Sequence, residues 1–349
     1  MLFIYLLIAA VTVVIPMSPA SGHHSDAGLD MENVVTFEGV ITEYSMRNPH
    51  TYFTAMSTNE QGEEIEWTVQ MGSALTVTRR GWRPDSLLVG DQVSVGLHRA
   101  IDGRPYGLIG WISKEGGEVV NADIVAGPGS IVASGPPPTT STIEGRWIVD
   151  RTSLGEDYPG GLDQLTLAEL TLTEEGRIAE EAYSQNSSEN PELLCVSKPT
   201  PSMIVYTDLY PLEIEFNEGE ETIVIRSQYF DVERTVFMDG REHPAANERT
   251  HQGHSVGHWE DDILVVDTTN FSDHRSPYQN GIPAGGMKHV VERYQLAEGG
   301  TRMSVEFMLE DPEYIVGSMT HVRSLIYSPQ MDMSPFNCDL EATRRFVPR

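Results

Sequence analysis

Between Gly127 and Thr142 the chain runs Gly-Pro-Gly-Ser and then Ser134-Gly135-Pro136-Pro137-Pro138-Thr139-Thr140-Ser141, with almost no bulky apolar side chain. Such a stretch has little to bury and runs as an extended, semi-stiff connector. It divides the 349 residues at about residue 130. Two cores suit this length, because single cores stop growing beyond about 250–300 residues. The expected organisation is a signal peptide over 1–22, a first domain over 23–120, the connector over 121–143 and a second domain over 144–349.

Ahead of the first domain, Leu2 to Ile15 form one apolar run interrupted only by Tyr5 and Thr12, followed by Pro16 and the small stretch Ser18-Pro19-Ala20. This reads as the apolar region and cleavage site of a secretory signal peptide. The run is shorter than the ~18–20 apolar residues that cross a bilayer. The expectation is a periplasmic or secreted product with no stable membrane insertion after cleavage. Cys195 and Cys338 are the two cysteines. In an oxidising compartment they can close a disulfide, with two buried thiols as the alternative.

Charge excludes one large class of function. The 52 acidic against 23 basic residues give a formal net charge of −29, whereas nucleic-acid binding depends on clustered Lys and Arg neutralising phosphates. No nucleic-acid partner is expected.

Both domains read as β. In the first, Val34–Tyr44, Thr51–Met56, Ile65–Met71, Gln92–His98 and Tyr106–Ile112 are rich in β-branched and aromatic residues. Ser73 to Arg80, closed by Gly81, suits one short helix between the third and fourth strands. That order is the order of a small OB-like barrel, with an SH3-like barrel as the rival. In the second domain Met303, Val305, Phe307 and Leu309 fall on one face with Ser304, Glu306 and Glu310 opposite, the mark of a half-buried strand. Leu212–Phe216, Thr222–Arg226, Val232–Met238, Ile263–Thr268 and Val290–Leu296 are similar, with turn signals between them and one helical segment at Arg177–Gln185. The predicted fold is all-β, a small OB-like barrel followed by a larger antiparallel lipocalin-like barrel, with a β-sandwich as second choice.

The chemistry-bearing residues concentrate between Asp239 and Glu260, where His243, His251, His254 and His258 fall within sixteen residues. His254, Val256 and His258 share one strand face, so His254 could meet His243 or Asp239 from the neighbouring strand. Imidazole titrates near neutrality, so His254 and His243 are candidate acid–base residues, oriented by Asp239, Arg241 or Glu260. Three such nitrogens would suit a zinc or copper ion, although no zinc-signature spacing is present. Ser255 sits in Gly253-His254-Ser255-Val256-Gly257, the letters of a hydrolase elbow, but no helix follows it. His23, His24 and His50 form a second candidate metal set, since a histidine near a free N-terminus chelates copper. Trp259 and Tyr294 are candidate ligand-binding aromatics.

Two resemblances follow. Gly22-His23-His24-Ser25, Gly39-Val40-Ile41, Asn48-Pro49-His50-Thr51, Arg80-Gly81-Trp82 and Leu88-Val89-Gly90-Asp91-Gln92-Val93 together resemble an uncharacterised family of exported bacterial proteins with a His-His-Ser start and an internal Asn-Pro-His, over about residues 22–115. Phe237-Met238-Asp239-Gly240-Arg241-Glu242-His243-Pro244, Gly253 to Glu260, Leu264 to Thr269 and Val291-Glu292-Arg293-Tyr294 resemble a second uncharacterised bacterial group, in which the position of His258 is usually Arg and that of Asp261 usually Gly. These resemblances imply export and supply no reaction. The expected function is binding of a small hydrophobic molecule inside the second barrel, whose lining gathers the imidazoles. An isomerase, lyase or hydrolase using the His/Asp/Arg cluster, and copper handling at the N-terminus, are the alternatives.

Overall fold

The structure is a computed structural model and describes residues 28–114, 119–121, 137–150, 170–182, 191–279 and 282–345. The expected signal peptide, His23, His24 and most of the connector lie outside these residues.

The first domain contains β1 (Val35–Ser45), β2 (Tyr52–Thr58), β3 (Glu64–Gln70), α1 (Ala74–Arg79), β4 (Gln92–Arg99), β5 (Tyr106–Lys114) and β6 (Val119–Asn121). The sheet order is β3-β2-β1-β4-β5-β6, and a parallel β3–β5 pairing closes the first five strands into a barrel. This is the OB-like connectivity, with the helix between β3 and β4. The predicted helix is present: the Ser73 side chain accepts from the Thr76 N–H at its start, and Gly81 takes φ +93° just past its end. Phe53, Val69, Val95 and Leu97 fill the interior at 0% exposure.

The second domain contains β7 (Gly145–Val149), α2 (Glu174–Ala182), α3 (Ser202–Val205), β8 (Leu212–Asn217), β9 (Thr222–Ser227), β10 (Val232–Phe237), β11 (His254–Glu260), β12 (Ile263–Thr269), β13 (His274–Gln279), β14 (Ile282–Ala284), β15 (His289–Ala297), β16 (Arg302–Glu310), β17 (Ser318–Tyr327) and α4 (Leu340–Arg344). A closed barrel runs β10-β11-β12-β15-β16-β17-β7-β8-β9, and β13–β14 form a separate hairpin. All barrel neighbours are antiparallel except β10 and β11, which pair in parallel through Val236↔Ser255 and Phe237↔Val256. Residues 238–253 therefore return along the outside of the barrel between two strands that point the same way. The helix expected at Arg177–Gln185 begins earlier, at Glu174, because the Thr173 hydroxyl accepts from the Gly176 N–H and caps that turn.

Inside, Trp147, Leu212, Tyr294, Met303, Val305, Phe307 and Leu325 are at 0% exposure, so no water-sized void reaches them. These large inward side chains pack together in one core cluster. The lumen also holds charge. Arg234 pairs with Glu292 at 2.5 Å, donates to Tyr294 Oη at 3.0 Å and to Thr268 Oγ1 at 3.3 Å, and approaches Ser255 Oγ. Burial and the Glu292 carboxylate push the Tyr294 phenol far above its ordinary range. Among the described residues no helix is long and apolar enough to cross a membrane.

The two barrels meet through α1 and the Asn48-Pro49-His50 loop. Arg79 donates to Leu209 O at 2.7 Å and to Gln228 Oε1, and Gln228 in turn donates to Asp332 O and Ser334 O. Asn48 donates to Phe336 O, and its own carbonyl accepts from the Asp339 N–H at 2.8 Å. Cys195 and Cys338 are joined by a disulfide with Cα atoms 5.8 Å apart.

Candidate functional site

Ser255 and Gly257 face the lumen and are buried, so strand alternation turns His254 and Val256 outward. The expected lining of imidazoles is thus on the outer face of the barrel. On the adjacent strands the same alternation presents Asp267 from β12, His289 from β15 and Glu310 from β16, with His289 directly opposite Glu310. His243 arrives from the returning 238–253 segment and lies over this face.

These side chains form one hydrogen-bonded row. His243 Nδ1 lies 3.0 Å from His254 Nδ1, His243 Nε2 lies 2.9 Å from Asp267 Oδ1, and His289 Nε2 lies 2.9 Å from Asp267 Oδ2. His289 Nδ1 is 3.6 Å from Glu310. An ionised carboxylate has no proton to give, so both Nε2 atoms donate to Asp267. In neutral His243 the remaining Nδ1 is then a lone-pair acceptor, and His254 Nδ1 must donate to it. The polarity of the row leaves His254 Nε2 as an unprotonated nitrogen at its end.

The electrostatics run the same way. Burial above all, and then the repulsion that a proton on His254 would meet from Arg241 and from any proton added to His243, hold the His254 imidazole below its ordinary value, against Glu248. The hydrogen bond and charge of Asp267 raise His289, against burial. Burial works to raise Asp267, but its bonds to His289 and His243 outweigh that and hold it low. Asp267 thus favours the protonated form of His289 at one end of the row, while burial favours the neutral form of His254 at the other. The members of the row are partly open, His243 at 23%, His289 at 31% and Asp267 at 36% side-chain exposure.

Of the remaining sequence candidates, Asp239 and Arg241 pair with each other through a two-pronged contact, which drives the Asp239 carboxyl down to about 2. Arg241 lies over the Phe237 ring at 3.8 Å, and that ring stacks on His254 at 5.0 Å. They border the His254 ring through Phe237. Glu260 is the correction: it sits at the far end of β11, where it binds Arg293 at 2.6 Å and His258 at 3.3 Å. The carboxylate that bonds both His243 and His289 is Asp267, which the sequence reading missed because Leu264 to Thr269 reads as one buried strand. Ser255 faces the lumen beside Thr268 Oγ1 at 2.9 Å, on the opposite side of β11 from His254, so the two cannot act as nucleophile and base.

Asn270, also missed, fixes the loop that carries His243. Its backbone is left-handed at φ +57°, and its amide donates toward Pro244 O, Ala245 O and Glu248 O at 3.0–3.2 Å. Tyr294 is inside the lumen with Arg234. Trp259 lies at the barrel rim, 45% exposed, with Phe216 edge-on at 6.1 Å. His50 is half-buried at the junction of the barrels, its Nδ1 is 3.3 Å from Gln70 Nε2, and burial pushes it down to about 4. Among the described residues no group of three or more His, Cys, Asp or Glu side chains is arranged to hold a metal ion.

No curated protein matches the chain. Residues 11–109 match a family model described as a family of unknown function (DUF6152), so the first barrel is similar to an uncharacterised family.

Proposed function

We propose that the protein is exported and that the outer face of its second barrel is an acid–base site, with His254 Nε2 as the base and His243, Asp267 and His289 as its relay. The observation that carries this is the unbroken row from His254 to His289, with its 3.0 and 2.9 Å spacings. A carboxylate behind an imidazole fixes its tautomer and stabilises the charge it gains on taking a proton. Export is supported by the apolar run from Leu2 to Ile15 and by the disulfide, since disulfides persist in oxidising compartments. p-Nitrophenyl acetate, hydrolysed by activated imidazoles, is the probe. Wild-type protein should hydrolyse it on the order of 10²-fold faster than His254→Gln or His243→Gln, in the range that positioned general bases supply. Equal rates in all three proteins would refute the reading.

A second reading rests on Trp259. Its exposed ring continues the inward row of Ser255 and Gly257 at the rim, with Phe216 beside it. A small hydrophobic molecule would stack there, above the packed core of the barrel, as in other apolar binding sites. Titration with 8-anilinonaphthalene sulfonate should give saturable fluorescence that Trp259→Ala abolishes; unchanged binding by the variant removes this reading.

A further inference from the structure

We propose that the Cys195–Cys338 disulfide is a reducible clasp that holds two distant contacts at once, the docking of the first barrel and the seating of the segment leading into His254. Cys338 belongs to the C-terminal strap that reaches the first barrel. Next to it, Asp339 N–H donates to Asn48 O at 2.8 Å and the Asp339 carboxylate binds Arg47 at 2.5 Å. Further along, Arg345 binds Glu43 at 2.9 Å and lies 4.1 Å over the Tyr52 ring. Cys195 belongs to the segment that grips the other contact. Ser197 O binds His251 Nε2 at 2.6 Å, Lys198 O accepts from Gln252 at 3.1 Å, and Gln252 Oε1 accepts from the Thr200 N–H at 2.9 Å. His251 and Gln252 are separated from His254 by Gly253 alone, which takes φ +77°. One covalent bond therefore joins the strap on the first barrel to the segment that positions the proposed base.

Without that bond, residues beyond 337 keep Ala342 and Thr343 buried, with Thr343 Oγ1 donating to Leu193 O at 2.7 Å in the Cys195 segment itself, and their ties to the first barrel are weaker than those before residue 337. Phe336 is at 0% exposure among Tyr210, Tyr229 and Phe230, and its N–H donates to Asp231 at 2.7 Å. Past it, the Arg47–Asp339 pair is 42% and 30% exposed and the Arg345–Glu43 pair 28% and 43%, a setting in which ion pairs add little. Both cysteines are only half-buried, so a dithiol can reach them. In the reaction one thiolate of the dithiol attacks a cystine sulfur and displaces the other cysteine as thiolate. The second thiol of the reagent then attacks the mixed disulfide and closes its own ring. The protein gains two electrons and two protons, and the dithiol is oxidised to its cyclic disulfide.

The clasp gives the proposed acid–base site a redox dependence and rests on that reading only for its functional meaning. Hydrogen exchange on the full chain, oxidised and after dithiothreitol, tests it. Amides of residues 191–200, 250–254 and 339–345 should exchange at least about 10-fold faster after reduction, while β15 and β16 keep their protection. The double variant Cys195→Ser/Cys338→Ser should show the reduced pattern without reductant. Unchanged protection, or loss throughout the molecule, overturns the proposal, and opening of 339–345 alone overturns the link to the His254 segment. A failed acetate-ester assay on oxidised protein would remove the acid–base site and leave the clasp standing.

Discussion

Replacing Glu292 by Leu leaves the Arg234 guanidinium inside the barrel without its counter-charge. The two side chains are 3% and 0% exposed and 2.5 Å apart. With charge centres about 4 Å apart and an effective dielectric near 20, the lost attraction is about 4 kcal/mol. That agrees with the about 3–5 kcal/mol typical of breaking a buried pair from one side. Tyr294 Oη and Thr268 Oγ1 still accept from Arg234, but neutral acceptors do not replace a carboxylate. Arg234→Met should cost a similar amount by stranding Glu292. The double variant Arg234→Met/Glu292→Leu should return to within about 1 kcal/mol of wild type, because apolar side chains of similar size remove the desolvation cost with the pair. Urea unfolding followed by circular dichroism, with the slope held equal among variants, reads all three. Single substitutions costing under about 1 kcal/mol, or a double equal to the sum of the singles, would show that the pair is not buried as described.

Other expectations are narrower. The His289–Asp267 contact should stabilise the fold between about pH 4 and 6.5. A raised His289 contributes below its unfolded value and loses that contribution as pH rises through its folded one, while a lowered Asp267 loses its own as pH falls; Asp267→Asn should bring the His289 titration, followed by NMR, back down toward 6.5, and an unmoved midpoint would disprove the contact. Gly257→Ala should cost about 1–3 kcal/mol, since the new Cβ would lie 2.6 Å from Met238 Sδ and 2.7 Å from Val236 Cγ1; an unchanged melting temperature would mean a looser barrel. Arg79→Ala removes the bonds to Leu209 and Gln228 across the two barrels and should cost about 1.5–3 kcal/mol, with separate calorimetric transitions for the barrels; a single unshifted transition would contradict it.

Strand β16 was legible because Met303, Val305, Phe307 and Leu309 all face inward and the polar residues between them face out. Strand β17 was not. Its inward row runs Met319, His321, Arg323, Leu325, while Val322 points outward at 50% exposure, so its binary pattern is inverted at the centre. Arg234 and Glu292 hide for the same reason: in sequence each looks like the solvent side of its strand. The lumen's polar pair was therefore invisible to a reading that assigns charge to the outside. His243 and His254 stood out by their density in the sequence. Asp267, His289 and Glu310 needed the strand order, since β12 meets β15 only after the β13–β14 hairpin is set aside. Their partnership is a property of register, which spacing along the chain does not encode.

Nine strands close this barrel, and an odd number cannot alternate direction all the way round. Somewhere two neighbours must agree, and the chain must then travel the height of the cylinder to begin the second of them. Here that excursion is residues 238–253, and it delivers His243 onto the outer wall. The parity of the sheet thus provides a surface strip whose sequence contributes little to the ladder beneath it. Such a strip can be rewritten, exchanged or lengthened while the cylinder stays shut, which separates the evolution of chemistry at this wall from the maintenance of the scaffold.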